Sequence, residues 1–265
     1  MDSFSGKLAV VTGGGSGMGR ELVRQLAAQG CSVGTCDLNH DAVAKTAAMA
    51  GRGAPPGVRV TSHACDVADE GQVLRFRDEL LEGHATDHVD LVFNNAGIAG
   101  LTLPVEQMPP DSWDKVIAVN LTGMFDVTRL AIPHLKRSTA GVLINLSSIA
   151  GRHGFANRSP YAASKWGVIG FTKTLAIELG EWGIRANAIA PGAVAGDRIE
   201  RVFAGRSQIS GMSMDEVRAE AMAAQSIKAM IDPQDIAQLA VFLASPAARS
   251  ISGQVIPIDN DRQKA

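Results

Sequence analysis

The sequence has few cysteines and no sign of a metal or disulfide framework. Its 265 residues include only three cysteines, Cys31, Cys36 and Cys65, an odd number without a CxxC spacing. We interpret them as reduced core thiols, because disulfide and metal frameworks need more partners. The six histidines are scattered and form no HExxH motif, so we expect no catalytic metal.

Strong charge and long apolar runs are also absent. A formal net charge of −2 gives no electrostatic reason to expect nucleic acid or an anionic membrane as a partner. No uninterrupted apolar stretch approaches the roughly 20 residues that a membrane-crossing helix needs. The opening segment MDSFSGKLAVVTGGG resembles neither a signal peptide nor a transit peptide. We therefore expect a cytoplasmic protein without a membrane or nucleic-acid partner.

Short apolar segments alternate with amphipathic segments along the whole chain. The apolar segments are continuous Val, Ile and Leu runs, as expected for strands that are covered on both faces. Helical patterns separate the expected strands, which lie near 7–13, 31–38, 58–67, 89–97, 141–148, 184–192 and 253–259. This alternation predicts a single α/β domain over residues 1–265, with a doubly wound parallel sheet of about seven strands and helices on both faces.

One long insertion interrupts the alternation. Residues 193–232 precede the last helix and strand, and we expect them to form a lid over the substrate. This segment carries Arg198, Arg201 and Arg206, which suit an acidic substrate. The alternative, which we favour on the sequence alone, is that they are solvated arginines on an amphipathic helix.

A glycine-rich turn follows the first strand. The segment TGGGSGMGR spans residues 12–20 and leads into a helix. Such a turn lets the backbone approach a pyrophosphate and directs the N–H groups of the helix start toward it. The glycines fit TGxxxGxG rather than GxGxxG, and the absence of GK[ST] excludes an ATP-binding P-loop. The candidate cofactor-binding residues in this turn are Thr12, Gly13, Ser16, Gly17, Met18 and Gly19.

Acidic residues end the second and third strands. Asp37 lies where a carboxylate accepts hydrogen bonds from the adenosine ribose in dinucleotide-binding folds. It would repel a 2′-phosphate, and no arginine or lysine adjoins it in the sequence, which favours NAD over NADP. The alternative is that Asp37 only caps the following helix. Asp66, together with Val67, is similarly placed to hold the adenine.

A second group of polar residues ends the later strands. NNAG (94–97), NLSS (145–148) and PG (191–192) close the fourth, fifth and sixth strands, and Tyr161 and Lys165 follow on a helix. With TGxxxGxG, a serine thirteen positions before the tyrosine and YxxxK, the chain resembles the short-chain dehydrogenase/reductase family over nearly its whole length. The resemblance implies a Rossmann-type fold that binds NAD or NADP.

The resemblance also implies a role for each matching residue. Tyr161 would be the catalytic acid/base, Lys165 its electrostatic partner and Ser148 the hydroxyl that orients the carbonyl. Asn120, in VNLTG, matches the fourth catalytic residue of the family. The cofactor would contact further residues beyond the glycine-rich turn, namely Asp37, Asp66, Val67, Asn94, Ala96, Gly97, Tyr161, Lys165, Pro191 and Val194.

The chemistry agrees with these roles. Hydride transfer at a carbinol carbon requires a proton to move on its oxygen, and a free phenol, with a pKa of about 10, is a poor base. A lysine ammonium one helical turn away, together with a positive nicotinamide ring, favours the phenolate. Ser148 can donate to the developing alkoxide. Asn120 would either hold a water in line with Lys165 or satisfy backbone groups in a bent helix.

Several residues are expected to be structural, and two depart from the family pattern. We interpret Ser147 as a backbone-bonding neighbour, Trp166 as core packing and His153 as a solvated loop residue. Gly196 replaces a threonine that often holds the nicotinamide carboxamide, which would then rely on Val194 or Asp197. Asn260 stands where many relatives carry glycine.

These observations predict an NAD-dependent oxidoreductase that acts on a secondary alcohol or ketone. One alternative is an NADPH-dependent 3-oxoacyl-type reductase, against which Asp37 argues. The other is a non-catalytic NAD-binding sensor, which would have no use for a complete proton relay. The helix after Tyr161 is apolar almost all the way round and, with the resemblance, indicates a homodimer or homotetramer.

Overall fold

Seven apolar segments form one parallel sheet in the computed structural model, which describes residues 4–263. The strands are β1 (Leu8–Thr12), β2 (Ser32–Asp37), β3 (Val60–Ala64), β4 (Leu91–Asn94), β5 (Val142–Leu146), β6 (Arg185–Pro191) and β7 (Val255–Ile258). Their order is β3-β2-β1-β4-β5-β6-β7, and every neighbouring pair is parallel. The central strands β1 and β5 are buried at every residue, because helices cover both faces. The predicted doubly wound sheet is confirmed, and the predicted domain ends at residues 1 and 265 lie outside the described residues.

The described residues form nine helices, most of which pack against this sheet. They are α1 (Gly17–Ala28), α2 (His40–Arg52), α3 (Glu70–His84), α4 (Pro110–Ile117), α5 (Gly123–Leu135), α6 (Ser159–Glu178), α7 (Asp197–Ser210), α8 (Met214–Ala223) and α9 (Pro233–Ala244). One apolar cluster joins the sheet to α1 and α9 through Leu22 and Ile236. A second cluster joins the other face to α3, α5 and α6 through Phe76, Val127 and Leu175.

The helix predicted near 111–137 is interrupted. A π-helical segment, Ala118–Thr122, separates α4 from α5 and contains the fully buried Asn120. The combined stretch Pro110–Leu135 has the length and mean hydropathy of a membrane-spanning helix. It packs against α3 and α6, and core helices of soluble proteins meet the same two requirements, so the match indicates a membrane span only weakly.

The insertion at 193–232 forms its own small layer. It contains α7 and α8, which bury Phe203 and Val217 against each other. Its two ends are joined by a parallel bridge between Val194 and Ile231, with hydrogen bonds of 2.8 and 2.9 Å. The segment therefore leaves and rejoins the sheet at one place, beside the carboxyl end of β6.

A buried carboxylate ties together the opposite end of the sheet. Asp90 is 1% exposed and accepts hydrogen bonds from the Lys7 ammonium and the Leu8 N–H, both at 2.9 Å. Ser138 Oγ donates a third bond at 2.6 Å. These three donors fix the starts of β1 and β4 to the segment before β5.

Two expectations about packing have different outcomes. Cys31, Cys36 and Cys65 are free and buried, as expected for core thiols. The interpretation of Trp166 as core packing is wrong, because this residue is 51% exposed on α6. An apolar pattern on a helix does not distinguish packing within one chain from packing against a second chain.

Candidate active site

A cleft of about 900 Å³ lies between the carboxyl ends of the strands and the segment 193–232, the predicted lid. Open parallel sheets bind ligands at this edge. The predicted site residues that line the cleft are Gly13, Ser16, Gly17, Met18, Gly19, Asp37, Asp66, Val67, Ala96, Gly97, Ser148, Tyr161, Lys165, Pro191 and Val194. The structure thus brings residues from most of the chain into one cavity.

The glycine-rich turn presents a helix start that suits an anion. Helix α1 begins at Gly17, its N-cap Ser16 makes no side-chain cap, and no acidic residue lies in its first turn. Gly17 has φ +50°, and no atom lies within 4 Å of where a Cβ would be. The N–H groups at the start of α1 are therefore accessible to a pyrophosphate, which fits a dinucleotide.

Asp37 lies at the predicted ribose end of the cleft, and backbone N–H groups hold its carboxylate. Its two oxygens accept hydrogen bonds from the N–H groups of Gly15 at 2.9 Å and Asn39 at 3.0 Å. Asn39, not Asp37, caps α2, since its side chain accepts from the Ala42 N–H. The helix-cap alternative for Asp37 is therefore wrong.

An arginine that is distant from Asp37 in sequence comes close to it in space. Arg20 lines the same cleft and donates to the Gly15 carbonyl and, at 3.1 Å, to Thr46 Oγ1. Arg20 and Asp37 bind the carbonyl and the N–H of the same residue, Gly15, although no ion pair joins them. Arg20 is nevertheless engaged by two protein acceptors.

Two predicted cofactor residues lie beneath the floor of the cleft. Thr12 Oγ1 accepts from the N–H groups of Asn95 and Ala96 at 3.1 and 3.0 Å. Asn94 donates to Thr128 and Asn145 and is 2% exposed. Their side chains hold the strand ends and do not line the cleft. The neighbouring Asn95, which the sequence reading did not select, lines it instead.

Three polar side chains meet at the other end of the cleft. Tyr161 and Lys165 lie one turn apart on α6, and Lys165 Nζ is 5.8 Å from the centre of the Tyr161 ring. Ser148 follows β5, and its Oγ accepts from the Ala150 N–H at 3.1 Å. Ser147 donates to the Lys165 carbonyl at 2.8 Å, which confirms its expected backbone role. A phenol, a hydroxyl and an amine at one end of the cleft suit proton transfer on a substrate oxygen.

The surroundings of Lys165 disfavour the charged form of its amine. It is 4% exposed, and its Nζ donates to the Leu146 carbonyl at 2.7 Å. Burial, with a smaller contribution from the charge of Arg198, lowers the pKa of Lys165 from 10.5 to about 7. A negative charge nearby, such as a phenolate, would favour its protonated form.

The side chain of Asn120 is occupied by protein partners. Its Oδ1 accepts from the Ile98 N–H at 2.7 Å, and its Nδ2 donates to the Ile98 carbonyl at 3.0 Å and to Ser164 Oγ at 3.1 Å. This geometry matches the backbone-binding alternative for its carboxamide. Asn120 therefore fixes the loop after NNAG, and its part in a proton relay stays a prediction.

Arginines of the lid reach the end of the cleft that holds Tyr161, Lys165 and Ser148. We call this end the chemical end. Arg198 Nη2 donates to the Gly97 carbonyl at 2.6 Å, across the cleft from α7 to the end of β4. Arg206 pairs with Glu220 at 2.7 Å, and Arg201 is exposed. Gly196 has φ +130°, a conformation that a threonine would rarely adopt, and this explains the departure at that position.

Sequence reasoning missed Arg158, which also lines the cleft. It lies three positions before Tyr161, and its guanidinium carbon is 4.8 Å from the centre of the Tyr161 ring. A cation so close to YxxxK was visible in the sequence, but its burial was not.

His153 is exposed, as expected.

Asn260 explains the second departure from the family pattern. It has φ +56°, a left-handed conformation that asparagine tolerates nearly as well as glycine. Its side chain donates to the Ala229 carbonyl at 2.7 Å, which ties the chain end to the returning arm of the lid.

Over residues 4–263, no group of three His, Cys, Asp or Glu side chains is arranged to hold a metal ion.

Comparison with known proteins finds relatives that match over most of the chain. A family model described as enoyl-(acyl carrier protein) reductase matches residues 13–260. D-β-hydroxybutyrate dehydrogenase of Cupriavidus necator is 35% identical over 262 residues, covering 97% of each chain.

Solved structures are also similar over the whole chain. NAD⁺-bound xylitol dehydrogenase has a TM-score of 0.91 at 28% identity, covering 96% of this chain and 98% of the other. A variant of actinorhodin polyketide ketoreductase, crystallised with NADPH, has a TM-score of 0.90 at 29% identity, covering 100% and 99% of the two chains.

Proposed function

The chain belongs to the short-chain dehydrogenase/reductase family and is an oxidoreductase acting on CH–OH groups, and we propose that it uses NAD to interconvert a small secondary alcohol and its ketone. The observation that carries this proposal is the convergence of Tyr161, Lys165 and Ser148 at one end of a cleft whose other end is lined by the glycine-rich turn and Asp37. The cleft joins a dinucleotide-sized groove to a proton-transfer group.

Each residue at the chemical end has a distinct task in this reaction. Bound NAD would supply the hydride acceptor. Tyr161 takes the proton from the substrate hydroxyl during oxidation and returns it during reduction. Ser148 donates a hydrogen bond to the same oxygen and stabilises its developing charge. Lys165 in its protonated form stabilises the phenolate of Tyr161.

The preference for NAD rests on Asp37. Its carboxylate is fixed by the N–H groups of Gly15 and Asn39 and lines the ribose end of the cleft. A fixed negative charge there accepts ribose hydroxyls and repels a 2′-phosphate. The similar structures include one with NAD⁺ and one with NADPH, so the preference is inferred from Asp37 and not from similarity. The 3-oxoacyl-type reductase and the sensor are not favoured.

Exposed apolar residues support an oligomer. Trp166 and Ile177 lie on one face of α6 and are 51% and 82% exposed, and Phe125 on α5 is 46% exposed. Solvent exposure of such side chains is unfavourable, and a second copy of the chain would bury them. The proposed assembly is therefore a homodimer or homotetramer. The free buried cysteines are in keeping with a cytoplasmic location.

A variant that lacks the phenolic oxygen of Tyr161 tests the proposed reaction. In a screen of sugars, polyols, hydroxy acids and secondary alcohols, the wild type should form NADH with at least one substrate. Tyr161→Phe should lower kcat by roughly 10²–10⁴-fold, because general acid–base catalysis contributes that much. The Kd for NADH, measured by fluorescence, should change less than threefold. A variant that keeps more than a tenth of the wild-type kcat would contradict the assignment.

A further inference from the structure

Arg158 is a buried cation without a carboxylate partner. It precedes α6 as its N-cap residue, and 5% of its surface is exposed. Its Nη2 donates one hydrogen bond, to the Ala99 carbonyl at 3.0 Å, and its Nε has no partner. Within the described part of the chain, no acidic side chain lies within 4.0 Å of its guanidinium. Its charge is thus not balanced by any neighbouring carboxylate.

A buried guanidinium of this kind is unusual. Arginine is almost never fully buried unless it is paired, because its charge must leave water. Burial lowers the pKa of Arg158, and the charges of Arg198 and Arg206 add to that effect. The face of the Tyr161 ring compensates only part of this cost. A neutral donor would serve the Ala99 carbonyl equally well, so a structural role does not account for the charge.

The surroundings of Arg158 are positive. Arg198 donates to a backbone carbonyl, and no acidic side chain among residues 4–263 lies within ion-pair distance of it. Arg206 is already paired with Glu220. Arg201 and Arg262 also line this cleft, against one lid carboxylate, Asp197, so positive charge predominates at this end and favours an anionic ligand there.

Building on the proposed function, we infer that Arg158 binds the carboxylate of a small hydroxy acid, or of the corresponding oxo acid, and thereby selects acidic over neutral substrates. A guanidinium presents a planar fork that matches both oxygens of a carboxylate. The guanidinium carbon is 4.8 Å from the centre of the Tyr161 ring, so a small hydroxy acid can reach both side chains. This identifies the substrate class that the lid arginines alone did not establish.

Binding can be measured without turnover. Tyr161 is the only tyrosine in the sequence, so protein labelled with 3-fluorotyrosine gives one ¹⁹F NMR signal, next to Arg158. Titration of the NAD⁺ complex with butyrate should shift this signal, with a Kd about 30-fold lower than that of butyramide, the neutral isostere. A wild type that does not prefer butyrate would overturn the inference.

Two variants separate Arg158 from the other arginines of the cleft. Arg158→Gln should remove the preference for butyrate over butyramide. Arg206 lines the same cavity, but its guanidinium is already paired with Glu220. Arg206→Gln should therefore keep the preference for butyrate. If Arg158→Gln does not fold, Arg158→Lys, which keeps the charge but loses the fork, should weaken the preference about tenfold. An unchanged preference in the Arg158 variant that is measured would overturn the inference.

Kinetics distinguish this inference from the proposed function. The ratio of kcat/KM for 3-hydroxybutyrate to that for butan-2-ol should fall about 100-fold in Arg158→Gln. If the wild type binds butyrate through Arg158 but oxidises no alcohol with either nicotinamide cofactor, the proposed function fails and the anion site stands. If it oxidises neutral alcohols and shows no affinity for butyrate, the anion site fails and the proposed function stands.

Discussion

The amine of Lys165 donates a hydrogen bond of 2.7 Å to the carbonyl oxygen of Leu146, at the carboxyl end of β5. This single neutral acceptor holds a cation that is 4% exposed. The residue that we propose supports catalysis is therefore also a source of instability in the folded chain. This conflict makes the free energy of unfolding depend on pH, and that dependence can be measured.

Replacing Lys165 with methionine should stabilise the protein most at low pH. The pKa of Lys165 is about 7 in the folded state and near 10.5 when exposed, so the unfolded state binds more protons between these values. The cost of the buried charge is therefore complete below pH 7 and disappears as the pH rises to 10.5. Wild type should lose up to about 4 kcal/mol relative to Lys165→Met between pH 10 and pH 6.

Thermal unfolding of the cofactor-free proteins across this pH range measures the difference. Lys173→Met is the matched control, because Lys173 is exposed on the same helix. Its difference from wild type should be independent of pH. If the Tm values of wild type and Lys165→Met change in parallel with pH, burial does not destabilise the charged form of Lys165.

Replacing Asp37 with serine should weaken the discrimination between NAD and NADP. The variant loses the carboxylate that we propose accepts the ribose hydroxyls, so the Kd for NAD should rise roughly 10–100-fold. The Kd for NADP should fall, because the repulsion of the 2′-phosphate is removed and the guanidinium of Arg20 lines the same cleft. Asp41→Ser, an exposed carboxylate in the first turn of α2, should leave both constants unchanged. A wild type that binds NADP more tightly than NAD would refute the assignment.

Replacing Asp90 with asparagine should destabilise the fold without changing KM. Burial works against the charge, but hydrogen bonds from Ser138, Leu8 and Lys7 hold the pKa of Asp90 below its ordinary value. Its stabilisation is therefore present above the unfolded pKa, near 4, and is lost as the pH falls further. At neutral pH the variant should lose roughly 3 kcal/mol, since the amide nitrogen faces at least one of these donors whichever way the amide is turned.

Calorimetry and steady-state kinetics of the same variant provide the check. Tm should fall by roughly 5–10 °C, and this gap should narrow below pH 4. Asp87→Asn, whose side chain is 77% exposed, serves as the control and should change Tm little. A large change of KM in Asp90→Asn would indicate that the two ends of the sheet are coupled.

The exposed face of α6 predicts the state of assembly. Wild type should elute as a dimer or tetramer by size exclusion with light scattering. Ile177→Glu places a charge on the 82%-exposed position and should raise the dissociation constant of the assembly at least tenfold. Thr174→Glu on the same face should act in the same direction, whereas Arg24→Glu on α1 should not. A wild type that is monomeric at all concentrations would contradict the prediction.

The sequence predicts most of the sheet and the ends of its strands, because these features depend on local composition. Continuous apolar runs identify β1 and β5, and the spacing of Tyr161 to Lys165 follows from one helical turn. The role of Asn120 could not be predicted, since its partner Ile98 is 22 positions away. Arg20 and Arg158 were missed for the same reason, because their significance depends on what the fold places next to them. Trp166 was assigned wrongly because a single sequence does not show which apolar face meets another molecule.

The bridge between Val194 and Ile231 has a consequence for how such an enzyme changes its substrate. Both ends of the intervening segment meet within one pair of residues, so it can be exchanged as a cassette without altering the framework beneath it. Lengthening it would cost little, because the entropy of closing a loop grows only with the logarithm of its length. Selection or engineering can therefore redesign the roof of the cleft while the floor, with its tyrosine and lysine, stays as it is.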